Sequence, residues 1–309
     1  MRIQDRLPAI LALFVSGAFG QVQITPGSGG QYNVDINGKP FTVFYTAPDE
    51  PKPYLAPLRA ASGKLVTRQY PMVKDLGEST DHPHHRGVWL GYKDVNGFNF
   101  WENELAYHNP KAGKVVAAEV KIEGPSIKGS FDWLAPTGEK VLREDRTMKF
   151  SGDATTRSID FDITLTAEQP VTFGDDKDGA FAIRLADGLT ELKGHGVLSN
   201  SAGLHTMKEL WGKQADWVDD SGILEGEPLG VLMMEHPKSF RHPSRWHARD
   251  YGLLAVNPFA AHAYDAEAPP LKITLRQGES AHLRYRILVH GKISAEDASG
   301  YYRSWVSAD

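Results

Sequence analysis

The apolar positions of this chain recur mostly at every second residue, the spacing of a strand with one packed face and one wet face. In SIDFDITLTAEQ, Ile159, Phe161, Ile163 and Leu165 fall on one side, and Asp160, Asp162, Thr164 and Thr166 on the other. Leu283, Tyr285, Ile287 and Val289 repeat the pattern in AHLRYRILVHG, and residues 115–127 repeat it in VVAAEVKIEG. PLGVLMMEH and YGLLAVNPF are near-continuous apolar runs, as expected of strands covered on both faces. Asn37-Gly38 predicts a tight hairpin, because both residues tolerate positive φ, and Asn96-Gly97 repeats the signal. Residues 63–76 are expected to form a further strand pair. Residues 194–222 show no periodicity. After Gly291 a short helix is expected through Asp297.

Many short strands between Gly, Pro and Asn turns predict an all-β fold, a large sandwich of two sheets. No repeat, low-complexity tract or linker divides it, so residues 21–309 are expected to form a single domain. Residues 1–20 differ. Arg2 and Arg6 precede an apolar stretch from Leu7 to Phe19, and Ala18 and Gly20 are small residues at signal-peptidase spacing. This predicts a cleaved signal peptide and a periplasmic or secreted protein. The apolar run is shorter than the ~20 residues of a spanning helix, and no later stretch is long enough, so no stable membrane insertion is expected.

Composition narrows the function. The net charge is −5 and no Lys/Arg block occurs, which argues against nucleic acid. The chain has no cysteine, so disulfide frameworks and cysteine-based metal sites are excluded. PGSGG lacks the lysine and the helix of a phosphate loop, so no nucleotide cofactor is expected.

The densest chemistry is Asp81-His82-Pro83-His84-His85-Arg86-Gly87. Neutral imidazole serves as a metal ligand or as a general base near neutral pH. Pro83 favours an extended backbone at His82, so His82 and His84 are expected to project alike, with His85 turned away. A divalent metal held by His82, His84, His195 and His247 is one expectation. The other is proton transfer without metal, with His84, His85, Arg86, Glu102 and His195 as catalytic candidates. The aromatic and amide groups of FNFWENE and the arginines of SFRHPSRWHARD suit sugar recognition, so Trp101, Asn103, Arg241, Arg245 and Trp246 are candidate substrate contacts. A carbohydrate is the expected small-molecule partner. Rival readings are a non-catalytic glycan-binding protein and a structural surface protein with scattered histidines.

The strings DHPHHRGVWLGYKDVNGFNFWE, GHGVL, FRHPSRWHAR, YGLLAVNPF and LRYRILVHG together resemble a family of bacterial secreted proteins labelled PmoA family proteins, over about residues 25–300. That label implies the membrane subunit of methane mono-oxygenase, from which this chain departs in having no bundle of apolar spans. The resemblance more directly implies a β-sandwich associated with sugar chemistry. LRQGESAHLRYRILVH is also similar to the last strands of galactose-mutarotase-like supersandwiches. That similarity implies a cleft on a concave sheet face holding His84 or His85, His195 and Glu102. It implies a periplasmic or secreted carbohydrate-active lyase, epimerase or hydrolase.

Overall fold

The computed structural model describes residues 20–74 and 77–308, so the expected signal peptide lies outside the described residues except for Gly20. Among the described residues, no helix is long and apolar enough to cross a membrane. The fold is all-β, with two eight-stranded sheets. In spatial order, the first sheet contains Val22–Pro26, Gln31–Ile36, Lys39–Tyr45, Tyr54–Leu55, Val88–Tyr92, Gly179–Arg184, Leu253–Asn257 and Arg245–Ala248. The second contains Val197–Asn200, Trp217–Leu224, Glu227–Glu235, Ser280–His290, Arg157–Ala167, Lys140–Gly152, Ser126–Leu134 and Lys114–Glu123. Val171–Phe173 and Ile273–Leu275 form a small two-stranded sheet.

The expected alternation holds where it was clearest. Ile159, Phe161, Ile163 and Leu165 are buried, as are Leu283, Tyr285, Ile287 and Val289 on the neighbouring strand. Their side chains meet the first sheet across the sandwich. Phe181 stacks on Tyr285 at 4.8 Å and meets Phe161 edge-on at 4.6 Å. Asn37 and Gly38 both have positive φ, 56° and 69°, and they join Gln31–Ile36 to Lys39–Tyr45.

Three local expectations need correction. Of the segment 63–76, the described residues 63–74 hold isolated bridges from Leu65 and Thr67 and no strand pair. Thr67 Oγ1 instead accepts the Leu58 amide at 2.9 Å, tying an irregular crossing segment to the core. The aperiodic 194–222 region contains two strands, Val197–Asn200 and Trp217–Leu224, and a short helix, Thr206–Leu210. The C-terminal helix runs over Ala295–Ser307, well past Asp297. Ser294 and Asp297 form a capping box at its start, and Trp305 anchors its far end against the second sheet.

The first sheet also packs on its outer face. Trp89, Ala182, Ala255 and Leu253 point away from the inter-sheet core and form a second apolar cluster with Tyr54, Ala56 and Trp101. The register lines up His247, Ala255, Ala182, Trp89 and Tyr54 in one row across five strands. Two alanines in the middle of that row leave room above the sheet. The functional groups gather there.

Candidate active site

The loop 81–87 lies over this outer face. The His85 amide donates to the His82 carbonyl at 3.0 Å, closing a turn with Pro83 in its second position. His82 has φ 44°, a left-handed conformation that a non-glycine residue adopts only when its surroundings hold it there. The extended backbone expected at His82 is thus corrected: the turn outweighs the local preference set by Pro83. His85 is correspondingly not turned away. Its ring stacks on His82 at 4.8 Å and 5°, and His84 meets His85 edge-on at 4.3 Å.

These three histidines line a cavity of about 230 Å³ together with Trp101, Glu102 and His247. Lys93, Lys177, Asp178, Arg249 and Tyr251 complete its polar wall. Loop 81–87, strand end Lys93, loop 101–102, the 177–178 turn and strand Arg245–Ala248 therefore converge on one point. A larger cavity of about 400 Å³ lies beside it, along residues 103–114 and 134–138. Its titratable groups are Glu104, His108 and Lys114, and Glu104 is already committed to Arg86.

Burial leaves the imidazoles of His84, His85 and His247 neutral. Desolvation lowers His84 to about 2, helped by the nearby charge of Lys52. Desolvation lowers His247 to about 3 against the pull of Asp178. His85 is pushed well below its ordinary value by burial, then by the charges of His84 and Arg184. Burial would raise Asp178, but hydrogen bonds from Lys177 and Lys93 outweigh it and hold the carboxyl at about 2.

Two hydrogen bonds fix the tautomers. His247 Nδ1 stands 3.1 Å from the Lys177 carbonyl, which can only accept, so the proton sits on Nδ1 and Nε2 carries a lone pair. The Asp178 carboxylate, 3.8 Å from the same Nδ1, is too far to compete for that proton. His85 is the opposite case. Arg184 Nη1, which can only donate, stands 3.2 Å from His85 Nδ1, so the His85 proton sits on Nε2. The cavity thus joins one imidazole that accepts and one that donates. His84 Nδ1 lies 2.9 Å from the Tyr107 hydroxyl, which fits either tautomer.

Several sequence candidates fall elsewhere. His195 is exposed as the left-handed cap of the short helix Glu191–Gly194 and is not among the cavity's lining residues. It therefore completes neither the four-histidine metal set nor the catalytic set. Among the described residues, no group of three or more His, Asp or Glu side chains is arranged to hold a metal ion. Arg86 is clamped by Glu50 and Glu104 at 2.6 and 2.7 Å, which uses its charge as a brace behind the cavity. Asn103 is buried, with its amide spent on Lys52, Pro51 and Gly113. Trp246 is fully buried in the inter-sheet core, since its strand position alternates inward while His247 faces out. Arg241 and Arg245 line a different cavity, and Arg245 bonds the Gly212 carbonyl at 2.7 Å.

The residues that sequence reasoning did not place in the site are Lys93, Lys177, Asp178 and Tyr251. The string FGDDKDG carries charge without periodicity, and that composition was the one signal available.

Residues 31–303 match DUF6807, a family of unknown function. This corrects the resemblance to PmoA family proteins: the strings that carried it are those of DUF6807, and the described residues contain no membrane-spanning helix. No curated protein matches the chain. Solved structures similar to it include a polysaccharide lyase, at 13% identity and TM-score 0.36, over 90% of this chain and 34% of that one. An alpha-galactosidase from Lactobacillus brevis has 9% identity and TM-score 0.43, over 87% of this chain and 39% of that one. A galactose mutarotase-like protein from Clostridium acetobutylicum has 7% identity and TM-score 0.36, over 89% of this chain and 99% of that one. The chain spans well under half the length of the first two.

Proposed function

This chain belongs to the DUF6807 family, and from that premise we propose that it is a carbohydrate-active enzyme that moves a proton at a sugar carbon. The observation that carries this reading is the opposed tautomers of His247 and His85 in one cavity. His247 Nε2 takes the proton from a carbon next to a carbonyl or carboxyl group. The electrons of the C–H bond form a C=C bond, and negative charge moves to the adjoining oxygen. The neutral His85 Nε2–H donates to that oxygen, as a neutral imidazole can without giving up its proton. Return of the proton from His247 to the same face of the carbon restores the substrate, delivery of a proton to the opposite face gives its epimer, and loss of a neighbouring oxygen substituent gives an unsaturated sugar. A sugar ring suits the walls, with the planes of Trp101 and Tyr251 beside hydrogen-bonding groups from Lys93, Glu102 and His82. The expected signal sequence makes the compartment periplasmic or extracellular, with residues 21–309 as the mature domain. The mechanism is written with side chains alone.

The test is solvent exchange. The protein is incubated in D₂O with free aldoses, ketoses and hexuronates, and loss of the proton signal beside the carbonyl or carboxyl group is followed by NMR. The expected result is exchange with at least one class, reduced ~10²–10⁴-fold in His247→Gln. Sugar binding without exchange, unaltered in His247→Gln, would instead identify a glycan-binding protein.

A further inference from the structure

Two of the three cations on the cavity wall are already neutralised. Lys93 is shared by Asp178 at 2.7 Å and Glu102 at 3.2 Å, and Lys177 lies 2.8 Å from Asp178. Arg249 joins no ion pair among the described residues. Its Nε is buried and has no hydrogen-bond partner. Its guanidinium lies over the Tyr251 ring at 5.6 Å, and Arg184 approaches the same ring at 4.5 Å. A buried guanidinium nitrogen without an acceptor is costly, and a planar carboxylate is the group whose two oxygens match its fork.

We infer that the cavity takes a sugar acid, a hexuronate-type ring whose carboxylate is received by Arg249. The inference rests on the proton-transfer reading and gives it a chemical reason. The carbon bearing a carboxylate is the one whose proton is acidified by it. When His247 Nε2 removes that proton, the C–H pair forms a bond to the carboxyl carbon, and a second negative charge develops on the carboxyl oxygens. Arg249 and the His85 Nε2–H then face that charge. A neutral hexose offers the unpaired Arg249 guanidinium only hydroxyl groups, which are weaker partners than a carboxylate.

The experiment uses the whole protein with methyl glucuronide and methyl galacturonide as acidic probes and the matching methyl glucoside and galactoside as neutral ones. Calorimetric affinity and C5 proton exchange are both read, for wild type, Arg249→Lys and Arg249→Met. The expected result is tighter binding of an acidic probe than of its neutral partner. That preference falls about 10- to 100-fold in Arg249→Met and is partly kept in Arg249→Lys. Equal affinity for acidic and neutral probes would overturn the inference, as would a preference unchanged in Arg249→Met. Exchange of neither uronide, alongside exchange of free aldoses or ketoses in the D₂O test above, would also overturn it while leaving the proton-transfer function standing. Arg249-dependent uronide binding with no exchange on any sugar would uphold the sugar-acid site and overturn the proton-transfer function.

Discussion

Arg184 Nη1 lies 3.2 Å from His85 Nδ1, and this contact decides which nitrogen of a catalytic candidate bears its proton. Arg184 also bonds Asp81 through Nη2 at 2.7 Å, so one buried guanidinium holds both the loop and the ring. In Arg184→Met the constraint on His85 disappears, and the ring is free to take the other tautomer. Two-bond ¹⁵N–¹H spectra of His85 are expected to shift from the Nε2–H to the Nδ1–H pattern, with sugar proton exchange falling at least tenfold. Removing one partner from this cluster also lowers unfolding free energy by about 2 kcal/mol or more, read in urea. A spectrum and rate both unchanged would remove Arg184 from the mechanism.

Acid should weaken the part of the fold that depends on buried, neutral imidazoles. His84 and His247 are held at about 2 and about 3, against an ordinary value of 6.5. Their folded values are depressed, so the unfolded chain binds protons that the folded one refuses. Their contribution to stability is therefore full above 6.5 and declines as pH falls toward 3, while the carboxyl of Glu235, raised to about 7 by burial, gains stability as pH falls through the upper part of that window. Each buried imidazole costs about 1 kcal/mol by pH 5.5. Urea midpoints at pH 7.5, 6.5 and 5.5 test this, and His247→Gln should flatten part of the slope. Activity should show no acidic limb from His247 until the fold itself fails.

Lys52 acts from behind the site. It is fully buried, and its Nζ donates to the Trp101 carbonyl and Asn103 Oδ1, each at 2.6 Å. Burial lowers it to about 7, partly offset by Glu104. Lys52→Met leaves two buried acceptors without donors, at a cost of about 1–3 kcal/mol each. It also removes a charge that depresses His84, so His84 should titrate at higher pH in the variant. Thermal unfolding gives the first effect and histidine NMR the second. A loss of stability with an unmoved His84 would reduce Lys52 to a structural role.

Metal dependence has its own outcome. Proton exchange is expected to survive dialysis against EDTA, because the His247 and His85 pair acts without an ion. Loss of exchange, restored by one equivalent of zinc or manganese, would transfer the chemistry to a bound ion.

Much of the site was legible because its residues are crowded in sequence. His82, His84 and His85 lie in one loop, Trp101 and Glu102 in one turn, and His247 in one short strand, and all six line the same cavity. The candidates that fell away share a different cause. Trp246 and His247 are neighbours on a strand, and alternation sends one into the core and the other to the cavity. Nothing local distinguishes which of two polar-capable rings faces the ligand. Arg86 looked available for charge stabilisation, yet Glu50 and Glu104 enclose it from residues 36 and 18 positions away. The carboxylate of Asp178 sits in a string that carries charge without pattern, whereas Arg249 belongs to the arginine-rich string SFRHPSRWHARD, in which only the fold tells it apart from Arg241 and Arg245.

Period-two alternation and Asn-Gly turns by themselves determined an all-β sandwich, because strand faces and hairpin chirality are local properties of the chain. The histidine string likewise determined that this protein concentrates imidazoles where strand Val88–Tyr92 begins. Only the tertiary structure decided their protonation. Burial made His84, His85 and His247 neutral, a guanidinium from residue 184 chose the tautomer of His85, and a carbonyl from residue 177 chose that of His247. Those partners are distant in sequence from at least one of the rings they govern, and the fold alone sets the distance and desolvation on which their effect depends.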